Sequence, residues 1–160
     1  MKTPSITTTE LYRHLDTLIT TDIPVFIHGS PGIGKSYIVA DIAVKHGLEL
    51  VDVRLSQMDP VDLRGVPAIR DEQTVWMAPV FFPKDPNSCG ILFLDELNSA
   101  PPSVQAAIYQ LVLDRKMGEY TLPRGWRIIC AGIGHTTFSC VISGKSRVAK
   151  YYTEADLLKH

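Results

Sequence analysis

The stretch that most constrains the fold is a glycine-rich segment near the N-terminus. It reads Gly29-Ser30-Pro31-Gly32-Ile33-Gly34-Lys35-Ser36, which matches the G-x-x-x-x-G-K-[ST] pattern of a phosphate-binding loop. The glycines allow a tight curl that brings backbone N–H groups up to phosphate oxygens. We therefore expect Lys35 to reach the β- and γ-phosphates of a bound nucleotide, and the Ser36 hydroxyl to ligate Mg²⁺.

The residues on either side of this loop agree with that interpretation. Residues 23–28 predict a buried strand that runs into the loop. Apolar side chains at Ile38, Val39 and Ile42 then have helical spacing, and Gly47 is expected to end the helix. Because strand, loop and helix follow in this order, the context favours a phosphate-binding loop over a chance glycine-rich turn.

A second motif lies about 60 residues further along, where the apolar run of residues 90–94 ends in Asp95 and Glu96. Such a run is typical of a strand buried on both faces. In a parallel sheet the ligand crevice lies at the carboxyl ends of the strands. Successive strand residues point to opposite sides, so the two acids are expected to differ in role. Asp95 is predicted to hold Mg²⁺, and Glu96 to orient or deprotonate an attacking water. The alternative is that these two acids merely end a strand in solvent, but the phosphate-binding loop upstream disfavours this interpretation.

The other predicted elements alternate between helices and strands. This alternation predicts an α/β fold with a mostly parallel sheet between two layers of helices, the three-layer αβα architecture of P-loop NTPases. Residues 73–86 are too apolar for a free loop and are expected to fold over the domain or to meet a neighbouring molecule. The remaining predictions are a helix opened by a Thr7–Glu10 capping box, a strand at 48–53, a short helical turn within 57–67, a helix after Pro101-Pro102, a hairpin around 116–120 and a strand at 125–132.

Overall composition excludes some functions. A chain of 160 residues suits one domain, and a net charge of −1 gives no electrostatic case for binding nucleic acid or an anionic membrane. No apolar run is long enough to span a membrane, and no secretion signal is evident. The odd cysteine count favours reduced thiols in the cytoplasm. We expect Cys89 and Cys130, which lie in or beside predicted strands, to pack as small buried residues.

Taken together, residues 5–132 resemble AAA+ ATPases, most closely the MoxR-like (dynein-related) branch. The phosphate-binding loop is common to many NTPases, whereas two longer blocks, Asp59–Pro67 and Asp95–Gln105, are more specific to this branch. Shorter similarities lie at Trp76–Pro79 and Leu122–Trp126. The resemblance implies a P-loop NTPase fold, ATP and Mg²⁺ as cofactors, and ATP hydrolysis coupled to the remodelling or activation of a protein partner.

The resemblance also assigns roles to individual residues. It implies Glu96 and Lys35 as catalytic residues, and Ser36 and Asp95 as metal ligands. Nucleotide contacts are implied for Gly29, Ser30, Pro31, Gly32, Ile33, Gly34, Lys35 and Ser36. Relatives form rings, usually hexamers, and often work with a partner that carries a von Willebrand factor A domain. The alternative is a truncated module that binds ATP without turnover, as an adaptor or a non-functional fragment.

The resemblance stops after Gly132. The family pattern here is Ala-Gly-Asn-Arg, whose Asn is a sensor of the γ-phosphate, but this chain reads Ala131-Gly132-Ile133-Gly134. No fifth core strand, arginine finger or helical lid is recognisable in residues 133–160, although Arg147 is a candidate substitute for the finger. We therefore divide the chain into an incomplete core, residues 1–132, and a divergent tail, residues 133–160. A one-base slip in Gly-Asn-Arg codons can read Gly-Ile-Gly, so the tail is either out-of-frame or a compact variant.

Overall fold

The computed structural model describes residues 5–133 and 149–153. Six of the described strands form one parallel sheet in the order β1-β10-β2-β9-β6-β3, and two short antiparallel hairpins, β4–β5 and β7–β8, lie outside it. In chain order the elements are β1 (Ser5–Ile6), α1 (Thr8–Leu18), β2 (Val25–His28), α2 (Lys35–Lys45), β3 (Glu49–Arg54), α3 (Pro60–Arg64), β4 (Val66–Arg70), β5 (Gln73–Met77), β6 (Cys89–Asp95), α4 (Pro102–Asp114), β7 (Lys116–Met117), β8 (Tyr120–Thr121), β9 (Gly125–Gly132) and β10 (Ala149–Thr153); single 3₁₀ turns cover Leu55–Gln57 and Leu97–Ser99.

Helices cover both faces of the sheet, which confirms the predicted three-layer α/β fold. On one face, buried residues of α1 and α2 pack with Ile91 and Phe93 of β6. On the other face, buried residues of α4 pack with Leu92 and Leu94 of the same strand. Because both faces of β6 are covered, its apolar run has no polar alternation.

Local signals set the helix ends as predicted. At the start of α1, the Thr7 backbone N–H donates to the Glu10 carboxylate at 2.8 Å, and the Glu10 N–H donates to the Thr7 hydroxyl at 3.2 Å. This is the predicted capping box. Helix α2 ends at Lys45, and Gly47 follows with a φ of 62°, a conformation that glycine adopts without strain.

The structure differs from the sequence analysis at the edge of the sheet beside β2. The sequence analysis recognised no fifth core strand, yet β10 pairs in parallel with β2, with Ala149 opposite Val25. The strand signal is short, since only Tyr151-Tyr152-Thr153 are strong strand formers. Residues 134–148 and 154–160, which include Cys140 and Arg147, lie outside the described part of the chain. The out-of-frame origin of the tail therefore stays a hypothesis.

The segment between β3 and β6 also holds an element that was not predicted. Strands β4 and β5 form an antiparallel hairpin, with Val66 opposite Met77, where only an apolar segment was expected. Part of that expectation holds: Phe82 is buried and its ring stacks on Tyr120 at 4.9 Å between centroids. The hairpin itself faces outward, because Ile69 is 85% and Trp76 48% exposed.

Two further predictions concern packing and membranes. Cys130 is buried as expected, but Cys89 is exposed at the start of β6, so its predicted packing role is wrong. Cys89 is the first residue of β6, at the amino end of the strand. Within the described ranges, no helix has both the length and the apolar character that a membrane crossing requires.

Candidate functional site

The glycine-rich loop connects the carboxyl end of β2 to the first turn of α2. Gly32 and Gly34 have φ angles of 81° and 86°, and a Cβ atom on either would meet no atom within 4 Å. The loop therefore requires glycine for its backbone conformation and not for space. Its curl leaves the first N–H groups of α2 without helical partners and directs them into the loop, which is the arrangement that binds anions.

Lys35 is buried beneath this loop, with 7% of its surface exposed. Its ammonium Nζ donates to the carbonyl oxygens of Gly29 at 2.7 Å and Ser30 at 2.9 Å. A buried ammonium needs such acceptors, because its charge would otherwise be costly away from water. These bonds hold the positive charge inside the loop, where the backbone N–H groups also gather.

Asp95, the last residue of β6, lies beside the start of α2. Its Oδ2 atom accepts a hydrogen bond from the Ser36 hydroxyl at 3.3 Å, and its Oδ1 atom accepts from the Glu96 N–H at 2.8 Å. A hydroxyl and a carboxylate are hard oxygen ligands of the kind that Mg²⁺ prefers, so this pair fits that ion. Within residues 5–133 and 149–153 no group of three or more His, Cys, Asp or Glu residues is placed to hold a metal. A magnesium site here would therefore draw its other ligands from phosphate and water.

Glu96 leaves the strand through a change in backbone direction. Its φ is 57°, in the left-handed region that residues other than glycine rarely adopt. The carboxylate Oε2 accepts a hydrogen bond from the hydroxyl of Ser56, which follows β3. The two acids thus have different hydrogen-bond partners, Ser36 for Asp95 and Ser56 for Glu96.

A cavity of about 320 Å³ joins these groups. Tyr37, Arg54 and Ile133 also line it, and sequence reasoning did not place Tyr37 or Arg54 there. The predicted site residues that line it are Pro31, Gly32, Gly34, Lys35, Ser36, Asp95 and Glu96. Gly29, Ser30 and Ile33 belong to the loop but not to the cavity wall.

Two charged residues of β3 lie next to the site, on the strand adjacent to β6. Arg54 of β3 is paired in register with Asp95 of β6. Asp52 lies two residues before Arg54 and therefore on the same face of the sheet. Burial, together with the nearby Asp95 carboxylate, raises the pKa of Asp52, and Arg54 partly offsets this effect. The carboxyl ends of β3 and β6 therefore place the positive charge of Arg54 next to the negative charge of Asp95, beside the loop.

The end of β9 is fixed against both the loop and the turn after Glu96. The Gly29 N–H donates to the Gly132 carbonyl at 3.1 Å, and the Asn98 side-chain amide donates to the Ile133 carbonyl at 3.4 Å. A Cβ atom on Gly132 would lie 1.7 Å from the Asn98 Oδ1 atom, so the chains can approach this closely only at glycine. This packing directs Ile133 to the cavity.

Comparison with known proteins identifies the family. Residues 24–133, more than half of the chain, match the model of the AAA domain (dynein-related subfamily). The chain belongs to this family. A curated relative of this AAA domain is midasin from Giardia intestinalis, which is 34% identical over 94 residues. That match takes in 58% of this chain but only 2% of the midasin chain.

Solved structures support the AAA fold at low identity. The crystal structure of NtrX from Brucella abortus in complex with ADP gives a TM-score of 0.58 at 17% identity, over 93% of this chain and 37% of that chain. A Cytophaga hutchinsonii protein named for its expected ATPase activity gives 0.57 at 18% identity, over 80% of this chain and 39% of that one. The AAA domain described here therefore spans well under half the length of these relatives.

Membership of the family makes this chain an AAA-type ATPase domain, with the nucleotide binding that such a domain implies. The structure brings the loop, Lys35, Ser36, Asp95 and Glu96 together at one cavity. Ser56 was missed by the sequence analysis because its contact with Glu96 depends on β3 lying next to β6. Ile133, where the sequence resemblance leads us to expect a sensor Asn, is an apolar residue that lines the cavity.

Proposed function

We propose that this AAA domain binds ATP with Mg²⁺ in the cavity and hydrolyses it. The observation that carries the proposal is the convergence of Lys35, Ser36, Asp95 and Glu96 on one space beside the glycine-rich loop. The ADP complex of the structurally similar NtrX supports an adenine nucleotide as the ligand. The sequence also lacks the Asn-Lys-x-Asp pattern that reads guanine.

Each group has a role that its position allows. The N–H groups of the loop and the start of α2 hold phosphate oxygens, and Lys35 exchanges its loop carbonyls for the β- and γ-phosphates. Ser36 and Asp95 would hold Mg²⁺, which when bound neutralises charge on the phosphates. Glu96 orients the attacking water and accepts its proton, and Ser56 positions the Glu96 carboxylate.

We further propose that hydrolysis is coupled to the remodelling of a protein partner in the cytoplasm, as the MoxR-like resemblance implies. A ring of several copies and a partner with a von Willebrand factor A domain belong to the same analogy. The match of residues 24–133 to the dynein-related AAA domain supports this branch of the family. The chain spans only a small part of the length of the relatives that it matches. The ring, the partner and the remodelling activity are therefore proposed by analogy with longer proteins.

A second function is favoured by Ile133, whose side chain cannot donate a hydrogen bond where the family has Asn. The chain would then bind ATP without appreciable turnover and act as a nucleotide-dependent adaptor. The two proposals share the binding site and differ only in the chemical step.

Steady-state ATP hydrolysis by wild type and Glu96→Gln separates the proposals. We expect Glu96→Gln to bind ATP normally and to lower kcat by about 10²–10⁴, the usual contribution of a positioned general base. Glu49→Gln is the matched control, because Glu49 is exposed at the opposite end of β3. ATP binding by the wild type without turnover would favour the adaptor, and equal turnover in wild type and Glu96→Gln would contradict the role of Glu96.

A further inference from the structure

Arg54, the last residue of β3, lines the same cavity as Lys35 and Asp95. Its neighbour Val53 is buried in the core on the α4 side of the sheet. Because side chains alternate along a strand, Arg54 projects to the opposite side, where α2 packs. Asp95 is its partner in register on the adjacent strand, so the guanidinium and the carboxylate share that face.

Arg54 interacts electrostatically with Asp52, but within the described ranges no close polar contact fixes its guanidinium. Arg54 is exposed to solvent. Within residues 5–133 and 149–153, its guanidinium forms no hydrogen bond and no ion pair. Arg127, by contrast, is fixed by Asp22 at 3.0 Å and by the Ile19 carbonyl at 3.1 Å. The guanidinium of Arg54 is therefore available to an anion in the cavity.

The order of the strands places Arg54 at one end of the cavity. The loop and Lys35 follow β2, the Ser36–Asp95 pair lies at the end of β6, and Arg54 lies one strand further out, on β3. A polyphosphate whose inner phosphates contact the loop would extend past Ser36 toward Arg54. The residue at that far end would meet the terminal phosphate.

We propose that Arg54 binds the γ-phosphate of ATP within its own subunit and thereby makes the site prefer ATP to ADP. This inference rests on the proposed nucleotide site. A guanidinium suits the task, because its planar donors bind phosphate oxygens in pairs. A cation at the γ-phosphate also stabilises the charge that develops during phosphoryl transfer, and a subunit can supply it from its own chain.

The test compares binding of two nucleotides by isothermal titration calorimetry. The probes are the non-hydrolysable ATP analogue adenylyl imidodiphosphate and ADP, each with Mg²⁺. Arg54→Gln should weaken binding of the analogue by at least about tenfold, the loss expected for one charge-assisted hydrogen bond, and leave ADP binding unchanged. Arg54→Lys should retain part of the preference. Arg70→Gln, an exposed position at the end of β4, is the matched control and should change neither affinity.

The outcomes separate this inference from the proposed site. If Arg54→Gln lowers both affinities equally, or neither, while Lys35→Ala abolishes binding, Arg54 does not read the γ-phosphate and only this inference fails. If the wild type binds neither nucleotide, the proposed function fails together with the inference. A thermal midpoint equal to that of the wild type would show that Arg54→Gln is folded.

Discussion

Replacing Ile133 with Asn would introduce a hydrogen-bond donor at the position where the resemblance to AAA+ ATPases implies a sensor Asn. Ile133 follows β9 and lines the cavity, and its backbone is fixed by the bond from Asn98 to its carbonyl oxygen. The new amide would therefore start from a backbone that already faces the site. We expect Ile133→Asn to hydrolyse ATP faster than the wild type.

The size of the effect follows from the contribution of a single preorganised donor, about 10²–10³ in kcat. The gain should fall at or below this range, because no other residue of the site is changed to orient the new amide. The cost in stability is modest. Ile133 is already 40% exposed, so the apolar burial that is lost contributes at most about 1–2 kcal/mol.

The assay is single-turnover hydrolysis with protein in excess over ATP, which separates the chemical step from product release. Ile133→Ala is the control, because it removes the apolar side chain without adding a donor, and it should match the wild-type rate. The reasoning would be refuted if Ile133→Asn bound ATP as tightly as the wild type and hydrolysed it no faster. An equal acceleration in Ile133→Ala would also refute it, since access and not a donor would then be the cause.

Three further predictions test other contacts. Gly132→Ala should lower stability by about 1–3 kcal/mol in urea denaturation, because the new Cβ would meet the Asn98 Oδ1 atom at 1.7 Å. Adding Asn98→Ala should recover most of the loss, and undiminished stability in the single variant would contradict the close packing. Ser56→Ala removes the hydroxyl that donates to Glu96, so kcat should fall by about tenfold with KM unchanged. The control Ser56→Thr keeps a hydroxyl and should keep the wild-type rate. An unaltered kcat in Ser56→Ala would contradict the proposal that Ser56 positions Glu96. Hydrogen bonds from a lysine and a histidine at the end of α2 hold the pKa of Asp16 below its ordinary value of 3.8, so the ionised form stabilises the fold above that value. Asp16→Asn should lower the thermal midpoint slightly at neutral pH, and the difference from wild type should vanish as the pH falls below 3.8. A difference that persists in acid would show that the ionised carboxylate of Asp16 is not the source of the stabilisation.

The parts of the site that were predicted are those written in contiguous sequence. The glycine-rich loop and the Asp95-Glu96 pair each occupy one short stretch, whose residue types suffice to indicate phosphate and metal chemistry. Arg54 and Ser56 were missed because their place in the site depends on β3 lying next to β6. That neighbour relation is not local, so no motif around residues 54–56 records it.

The two elements that were missed carry weak local signals. The β4–β5 hairpin turns through Asp71 and Glu72, both with positive φ of 50° and 62°. Such a turn is usually recognised from Asn-Gly or Asp-Gly, and neither pair stands here. Pro67 within β4 also argues against a strand. Strand β10 is short, and its place beside β2 is set by the open edge of the sheet and not by its own pattern.

The most direct test of the central claim is calorimetric titration of Mg·ATP into the wild type and Lys35→Ala. The account predicts saturable binding to the wild type and its loss in Lys35→Ala, because the buried ammonium is the cation held within the loop. Lys84→Ala, at an exposed position outside the cavity, should bind as the wild type does. Binding of equal affinity in Lys35→Ala and the wild type would contradict the assignment of this loop as the nucleotide site.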